Sequence, residues 1–213
     1  MKPRVLLADD HTLVLAGFVK LLEDSCEVVG LVEDGRALLD AAQHLQPDIA
    51  IVDISMPLLN GIEACSRVRA ASPQTKLIIV TMHAAMPYVQ AAFKAGAAGY
   101  VLKRSATDEL LQAIRTVRSG NYYVTPLMTK EVVNVLVKGP SDSNASLDDL
   151  STRQREILQL VAEGYTVKEI AGQLGLSPRT VEFHKGRTMQ QLQVRSTAEL
   201  VKYAIAHALI VPT

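Results

Sequence analysis

Through the first 120 residues, apolar positions fall in short unbroken runs separated by longer stretches where they recur every three or four positions. The runs are "RVLLA" at 4–8, "VVGLV" at 28–32, "IAIV" at 49–52, "LIIV" at 77–80 and "YVL" at 100–102. None alternates apolar with polar, so each predicts a strand covered on both faces, as in a parallel sheet. The stretches between them predict amphipathic helices near 12–24, 35–46, 60–71, 86–95 and 105–119. Five strands alternating with five helices predict an α/β domain over residues 1–122 with a doubly wound, five-stranded parallel sheet. A further helix near 125–138 leads into "GPSDSNASLDD" at 139–149, a linker by its Gly, Pro, Ser, Asn and Asp. Residues 123–149 thus read as a connecting segment.

From 150 to 213 no strand-like run occurs, and the pattern predicts a small all-α domain of four helices near 151–163, 167–174, 178–192 and 196–209. Ser151 with Gln154, and Thr166 with Glu169, have capping-box spacing. Ser177-Pro178 sets a capping hydroxyl before a proline suited to the first helical position, and Gly175 suits the left-handed residue that ends a helix. Residues 168–194 read as helix, tight turn, helix. Ile170, Ala171 and Leu174 mark the inner side of the first helix, Leu176 fills the turn, and Val181, Thr188 and Leu192 share one narrow arc of the second. Val201, Ala204, Ile205, Ala208 and Leu209 of the last helix can pack within the domain or pair in a dimer.

The strand ends carry the chemistry. The first run ends in Asp9-Asp10, the third in Asp53, the fourth in Thr81 and the fifth in Lys103. Open α/β sheets bind ligands at the carboxyl ends of their strands, so these side chains gather at one crevice. Two carboxylates about 4 Å apart repel by about 4 kcal/mol at an effective dielectric near 20, which a hard divalent cation such as Mg2+ relieves. Such a cation draws in phosphoryl oxygens. Lys103 can grip one as a point charge, Thr81 can donate a hydrogen bond to another, and Asp53 can attack phosphorus as a nucleophile. A haloacid-dehalogenase type phosphatase would need a second acid two residues after Asp53, where Ser55 stands.

Composition narrows the classes. Lys+Arg and Asp+Glu are 22 each, so any basic patch must be local. One exists: residues 177–195 hold Arg179, Lys185, Arg187 and Arg195 against Glu182 alone, a net +3 (4 − 1). Phosphate attraction needs such a patch. Cys26 and Cys65 match no metal spacing and sit among apolar neighbours, as buried thiols do. Trp is absent, which disfavours a carbohydrate-stacking site. The acidic turn after "MKPRVLLA" argues against a secretory signal, and no apolar run approaches membrane-spanning length; a cytoplasmic protein is expected.

The set Asp9-Asp10, "DISMPLLNG" from Asp53, Thr81 and "GYVLK" resembles the receiver domain of bacterial two-component response regulators. "LSTRQREILQLVAEGYTVKEIAGQLGLSPRTVEFHKGRTMQQLQV" resembles the LuxR-type helix-turn-helix, and the whole chain resembles a NarL/FixJ-type regulator. The resemblance implies that Asp53 is the phosphoacceptor and that Asp9, Asp10, Asp53 and the Ser55 backbone carbonyl hold Mg2+. It implies that Thr81 and Lys103 bind the phosphoryl group and that Thr81 and Tyr100 form a switch pair, the ring following the hydroxyl inward. Pro57 and Gly61 would shape the loop over the site, Ser55 and His83 would tune the lifetime of the phosphate, and His11 begins a helix rather than serving as a ligand.

In the tail, the resemblance makes 178–192 a recognition helix in the DNA major groove. Glu182, Phe183, Gly186 and Arg187 then face base edges, and Arg179, Thr180 and Lys185 face phosphates. Departures from the family pattern are Glu182 and Gly186, Thr188 at a usually aliphatic position and Gln193 at a usual glycine. The implied function is a transcription regulator, not an enzyme on an external substrate. A cognate histidine kinase, double-stranded DNA and a second copy of the chain would be its partners, without a membrane. The alternative is a phosphate sink or protein-interaction module with weak DNA binding.

Overall fold

The computed structural model describes residues 1–138, 150–206 and 209. The chain divides into two compact units, Met1–Lys138 and Gly139–Thr213.

Unit one is built on a parallel sheet of strands β1 (Arg4–Ala8), β2 (Glu27–Val32), β3 (Ile49–Val52), β4 (Lys76–Thr81), β5 (Gly99–Leu102) and β6 (Tyr123–Val124), in the order β2-β1-β3-β4-β5-β6. Helices α1 (Thr12–Leu22), α2 (Gly35–Leu45), α3 (Gly61–Ala71), α4 (Met86–Lys94) and α5 (Ala106–Arg118) alternate with the first five strands. Successive strand residues point to opposite faces. Val5, Leu7, Ile49, Ile51, Ile78, Val80 and Val101 therefore share one core with Leu15 and Leu22 of α1 and Leu110, Ala113, Ile114 and Val117 of α5. The alternate residues, among them Leu6, Ala50, Ile79 and Tyr100, are buried as well. This two-sided burial is why the central runs show no alternation.

Two expectations need correction. The sheet has six strands, not five. Tyr123-Val124, assigned by sequence to the connecting segment, pairs in parallel with Gly99-Tyr100, the Thr125 N–H donating to the Tyr100 carbonyl at 2.9 Å. Two residues are too few to leave an apolar run. β2 is not covered on both faces: as an edge strand it leaves Leu31 half exposed. Beyond β6, Pro126–Met128 forms a 3-10 turn, and α6 spans Thr129–Lys138. A side-chain network holds this exit: Glu109 of α5 accepts from the buried Thr125 hydroxyl at 2.5 Å and from the Tyr123 hydroxyl at 3.2 Å.

Unit two contains α7 (Thr152–Ala162), α8 (Val167–Leu174), α9 (Pro178–Gln191) and α10 (Thr197–Ala206). Both capping boxes form. The Ser151 N–H donates to Gln154 Oε1 at 3.0 Å, and the Thr166 N–H to Glu169 Oε2 at 2.7 Å. Ser177 Oγ accepts from the Thr180 N–H at 3.1 Å with Pro178 in the first turn, and Gly175 ends α8 at φ +64°. Ile157, Leu160, Ile170, Val181, Leu192 and Leu200 centre one core. Ala204 and Leu209 lie in it too, so they are engaged within the domain; Ala208 lies outside the described residues.

Candidate functional site

The ends of β1, β3, β4 and β5 bring Asp9, Asp53, Thr81 and Lys103 to one edge of the sheet. Asp9, Asp53 and Thr81 are buried at 2%, 3% and 0% exposure, whereas Asp10 is exposed. The Lys103 ammonium lies between the two buried acids, 2.7 Å from Asp9 Oδ2 and 2.9 Å from Asp53 Oδ2. The other Asp53 oxygen accepts from the Ile54 N–H at 2.7 Å. Burial pushes the Asp53 carboxyl above its ordinary pKa, outweighing the charge and hydrogen bond of Lys103. Burial alone would lower the Lys103 ammonium, but the Asp9 hydrogen bond and the Asp53 charge reverse this and raise it.

One oxygen or ring nitrogen each from Asp9, Asp10, His11 and Asp53 lies within 4.8 Å of the others. Hard carboxylate oxygens so grouped suit a small divalent cation. His11 begins α1 as expected, and its Nδ1 stands 2.9 Å from Asp10 Oδ1 and 3.2 Å from Asp9 Oδ1. The ring therefore borders the acids, a position its place in the sequence did not signal.

The loop after β3 is shaped by Gly61. A Cβ there would fall 1.9 Å from the Asp53 carbonyl oxygen, so only glycine fits beneath the site. Its N–H donates to the Ile54 carbonyl at 2.9 Å, and the Asn60 side chain caps α3 through the Glu63 N–H. Leu58 absorbs the bend at φ +66°.

Ser55 and His83, 28 residues apart, meet with Ser55 Oγ 3.1 Å from His83 Nε2. Burial lowers the His83 imidazole below its usual pKa, against the nearby Asp53 charge. The His83 N–H reaches Thr81 Oγ1 at 3.4 Å, and its carbonyl accepts from the Tyr100 hydroxyl at 2.8 Å. Tyr100 is fully buried, its hydroxyl held by the His83 carbonyl. The Tyr88 ring stacks on His83 with centroids 4.6 Å apart. Nothing in the spacing of Tyr88 marks this contact, and sequence reading missed it.

In unit two, Arg179, Glu182, Phe183, Gly186 and Arg187 are exposed on α9, and Thr180 and Lys185 are half-buried. Val181 and Thr188 face the interior, where the Thr188 hydroxyl donates to the His184 carbonyl at 2.9 Å. That bond satisfies a buried oxygen at a position where the family pattern favours an aliphatic residue. Gln193 adopts φ +56°, the conformation that explains a usual glycine there. Phe183, at 61% exposure, is an apolar ring on a basic surface. Space around Gly186 is open, with nothing within 4 Å of a Cβ built there.

A parallel α/β domain with an acid-lysine pocket, followed by a helix-turn-helix domain, defines a response regulator. Residues 5–115 match the response regulator receiver domain and residues 148–204 the bacterial regulatory proteins of the luxR family; the chain belongs to this family. The oxygen regulatory protein NreC of Staphylococcus carnosus is 40% identical over 97% of this chain and 99% of its own length. NreC of Staphylococcus haemolyticus is 37% identical over the same shares. Among solved structures, the RcsB response regulator of Salmonella typhimurium is similar with a TM-score of 0.65 and 29% identity, covering 97% of this chain and 98% of that one. RcsB from Salmonella enterica serovar Typhimurium, bound to a promoter in the presence of phosphomimetic BeF3-, is similar at a TM-score of 0.63 and 29% identity, covering 97% and 100%.

Proposed function

We propose that the chain regulates transcription under the control of phosphorylation at Asp53. The observation that carries this reading is the Lys103 ammonium lodged between Asp9 and Asp53, at the strand edge that also presents Thr81. An Asp53 oxygen bonds to phosphorus while the bond from phosphorus to the histidine nitrogen of a cognate kinase breaks; that electron pair stays on the imidazole. Lys103 turns from the acids to a phosphoryl oxygen, and the Thr81 hydroxyl donates to another. Asp9, Asp10, Asp53 and the Ser55 backbone carbonyl are the groups that would hold Mg2+, which when bound neutralises charge on the transferring phosphoryl oxygens. The chemistry ends with transfer onto Asp53 and its slow hydrolysis; no external substrate is turned over.

Thr81 and Tyr100 relay the change as a switch pair. Phosphorylation favours a homodimer whose α9 helices enter successive major grooves about one helical turn apart. The exposed Glu182, Phe183, Gly186 and Arg187 meet base edges, while Arg179, Thr180 and Lys185 meet phosphates. The promoter complex of RcsB supports DNA as the partner. Among the described residues no helix is long and apolar enough to cross a membrane. The test is exposure of the full chain to acetyl phosphate and Mg2+, followed by sizing and DNA binding. Wild type gains one hydroxylamine-labile phosphoryl group, dimerises and binds DNA more tightly; a phosphoryl group retained by Asp53→Asn sinks the nucleophile assignment.

A further inference from the structure

β3 and β4 are neighbours in the sheet, and the loops leaving them carry Ser55 and His83. The Ser55–His83 hydrogen bond therefore ties together the two loops that leave the neighbouring strands ending at Asp53 and Thr81. Four groups face His83. Ser55 meets Nε2, the Tyr100 hydroxyl its carbonyl, the Thr81 hydroxyl its N–H, and Tyr88 the flat of its ring. The Tyr100 and Thr81 contacts fix only the backbone. The ring is held at two places, by Ser55 at Nε2 and by Tyr88 across its flat face. Tyr88 is itself buried in the first turn of α4, a helix that contributes none of the pocket acids, Thr81 or Lys103.

The imidazole and the serine hydroxyl pair with each other. While paired, the imidazole Nε2 has no remaining site with which to orient a water toward phosphorus, although the serine hydroxyl keeps further hydrogen-bonding capacity. Hydrolysis needs that water. Its oxygen forms a new bond to phosphorus, the bond to the Asp53 oxygen breaks with its electron pair returning to the carboxylate, and the water gives up a proton to the released phosphate or to solvent.

We propose that Tyr88 is a positioning residue that prolongs the life of the Asp53 phosphate: its ring holds His83 against Ser55, keeping Nε2 from orienting a water toward the phosphorus. This rests on the reading of Asp53 as phosphoacceptor and adds a residue and a direction to it. A coupling of this kind between neighbouring side chains appears as non-additivity.

The full-length chain is phosphorylated with acetyl phosphate and Mg2+, the donor is removed, and loss of the phosphoryl group is timed. Tyr88→Leu is expected to lose it about three-fold faster or more, whereas Tyr88→Phe, which keeps the ring, matches wild type. Ser55→Ala opens the bridge from its other end without touching a buried ring, and is expected to accelerate loss as well. In a His83→Ala background, Tyr88→Leu adds nothing further. An unchanged or slower rate in both Tyr88→Leu and Ser55→Ala overturns the inference, as does a Tyr88→Leu effect that persists undiminished without His83. If Tyr88→Leu does not fold, Ser55→Ala with and without His83→Ala decides. A wild-type chain that takes up no phosphoryl group overturns the Asp53 reading and this one with it; a labelled wild type with unmoved variants overturns this one alone.

Discussion

At Asp53, burial and the Lys103 ammonium pull in opposite directions, and burial prevails. The folded state therefore holds its proton to a higher pH than the unfolded chain does. Stability falls as pH rises from the unfolded carboxyl value through the raised folded one, and it stays lower above that. Without Mg2+, Asp53→Asn is expected to raise Tm at pH 7, with the gain shrinking below pH 4, where both side chains are neutral. A lower Tm for the variant at pH 7 would mean that the Lys103 pair outweighs desolvation. Gln193 offers a second test at this scale. A left-handed non-glycine residue costs about 1 kcal/mol, so Gln193→Gly should stabilise the C-terminal unit by about that amount in urea unfolding. Among single residues, the pocket acids, Thr81 and Lys103 were legible because strand ends can be located from apolar runs alone. Tyr88 was not, because a ring stack depends on how α4 packs and leaves no trace in local spacing.

At the level of elements, the caps do much to place the tail helices. Glu169 is held below its ordinary pKa by the Thr166 backbone N–H and hydroxyl. Its contribution to stability is present above the usual glutamate value and is lost as pH falls through the depressed folded one. The melting temperature of the C-terminal unit should thus decline between pH 5 and pH 3, and Glu169→Gln should flatten part of that decline. An unaltered slope in the variant would assign the acid sensitivity to other carboxylates. Helix starts such as Ser151, Thr166 and Ser177 were readable because capping is a local contract between residues three apart. Central strands were readable because both their faces are buried. β6 and the bare face of β2 were not, since pairing at a sheet edge is decided by distant residues rather than by pattern.

For the molecule as a whole, the charge balance of zero conceals a basic segment at 177–195. Affinity for operator DNA should fall steeply with salt. Arg179→Ala should reduce the slope of log affinity against log salt by about 0.9 across all sequences. Arg187→Ala should instead cost about 1–3 kcal/mol chiefly on the preferred site, relaxing base choice while leaving binding to random DNA nearly intact. Binding that is weak and flat in salt would favour a phosphate sink or interaction module, a role for which Glu182 and Gly186 on the exposed face of α9 would be less of a handicap.

The short sixth strand bears on aggregation. A sheet edge with free backbone donors and acceptors recruits strands from other molecules. Beside β5 that edge is capped by a strand of only 2 residues, followed after Thr125 by Pro126, which has no N–H to offer. An incoming strand would find almost nothing to pair with, so the receiver is protected from edge-to-edge fibre growth on that side, leaving only the β2 margin to guard.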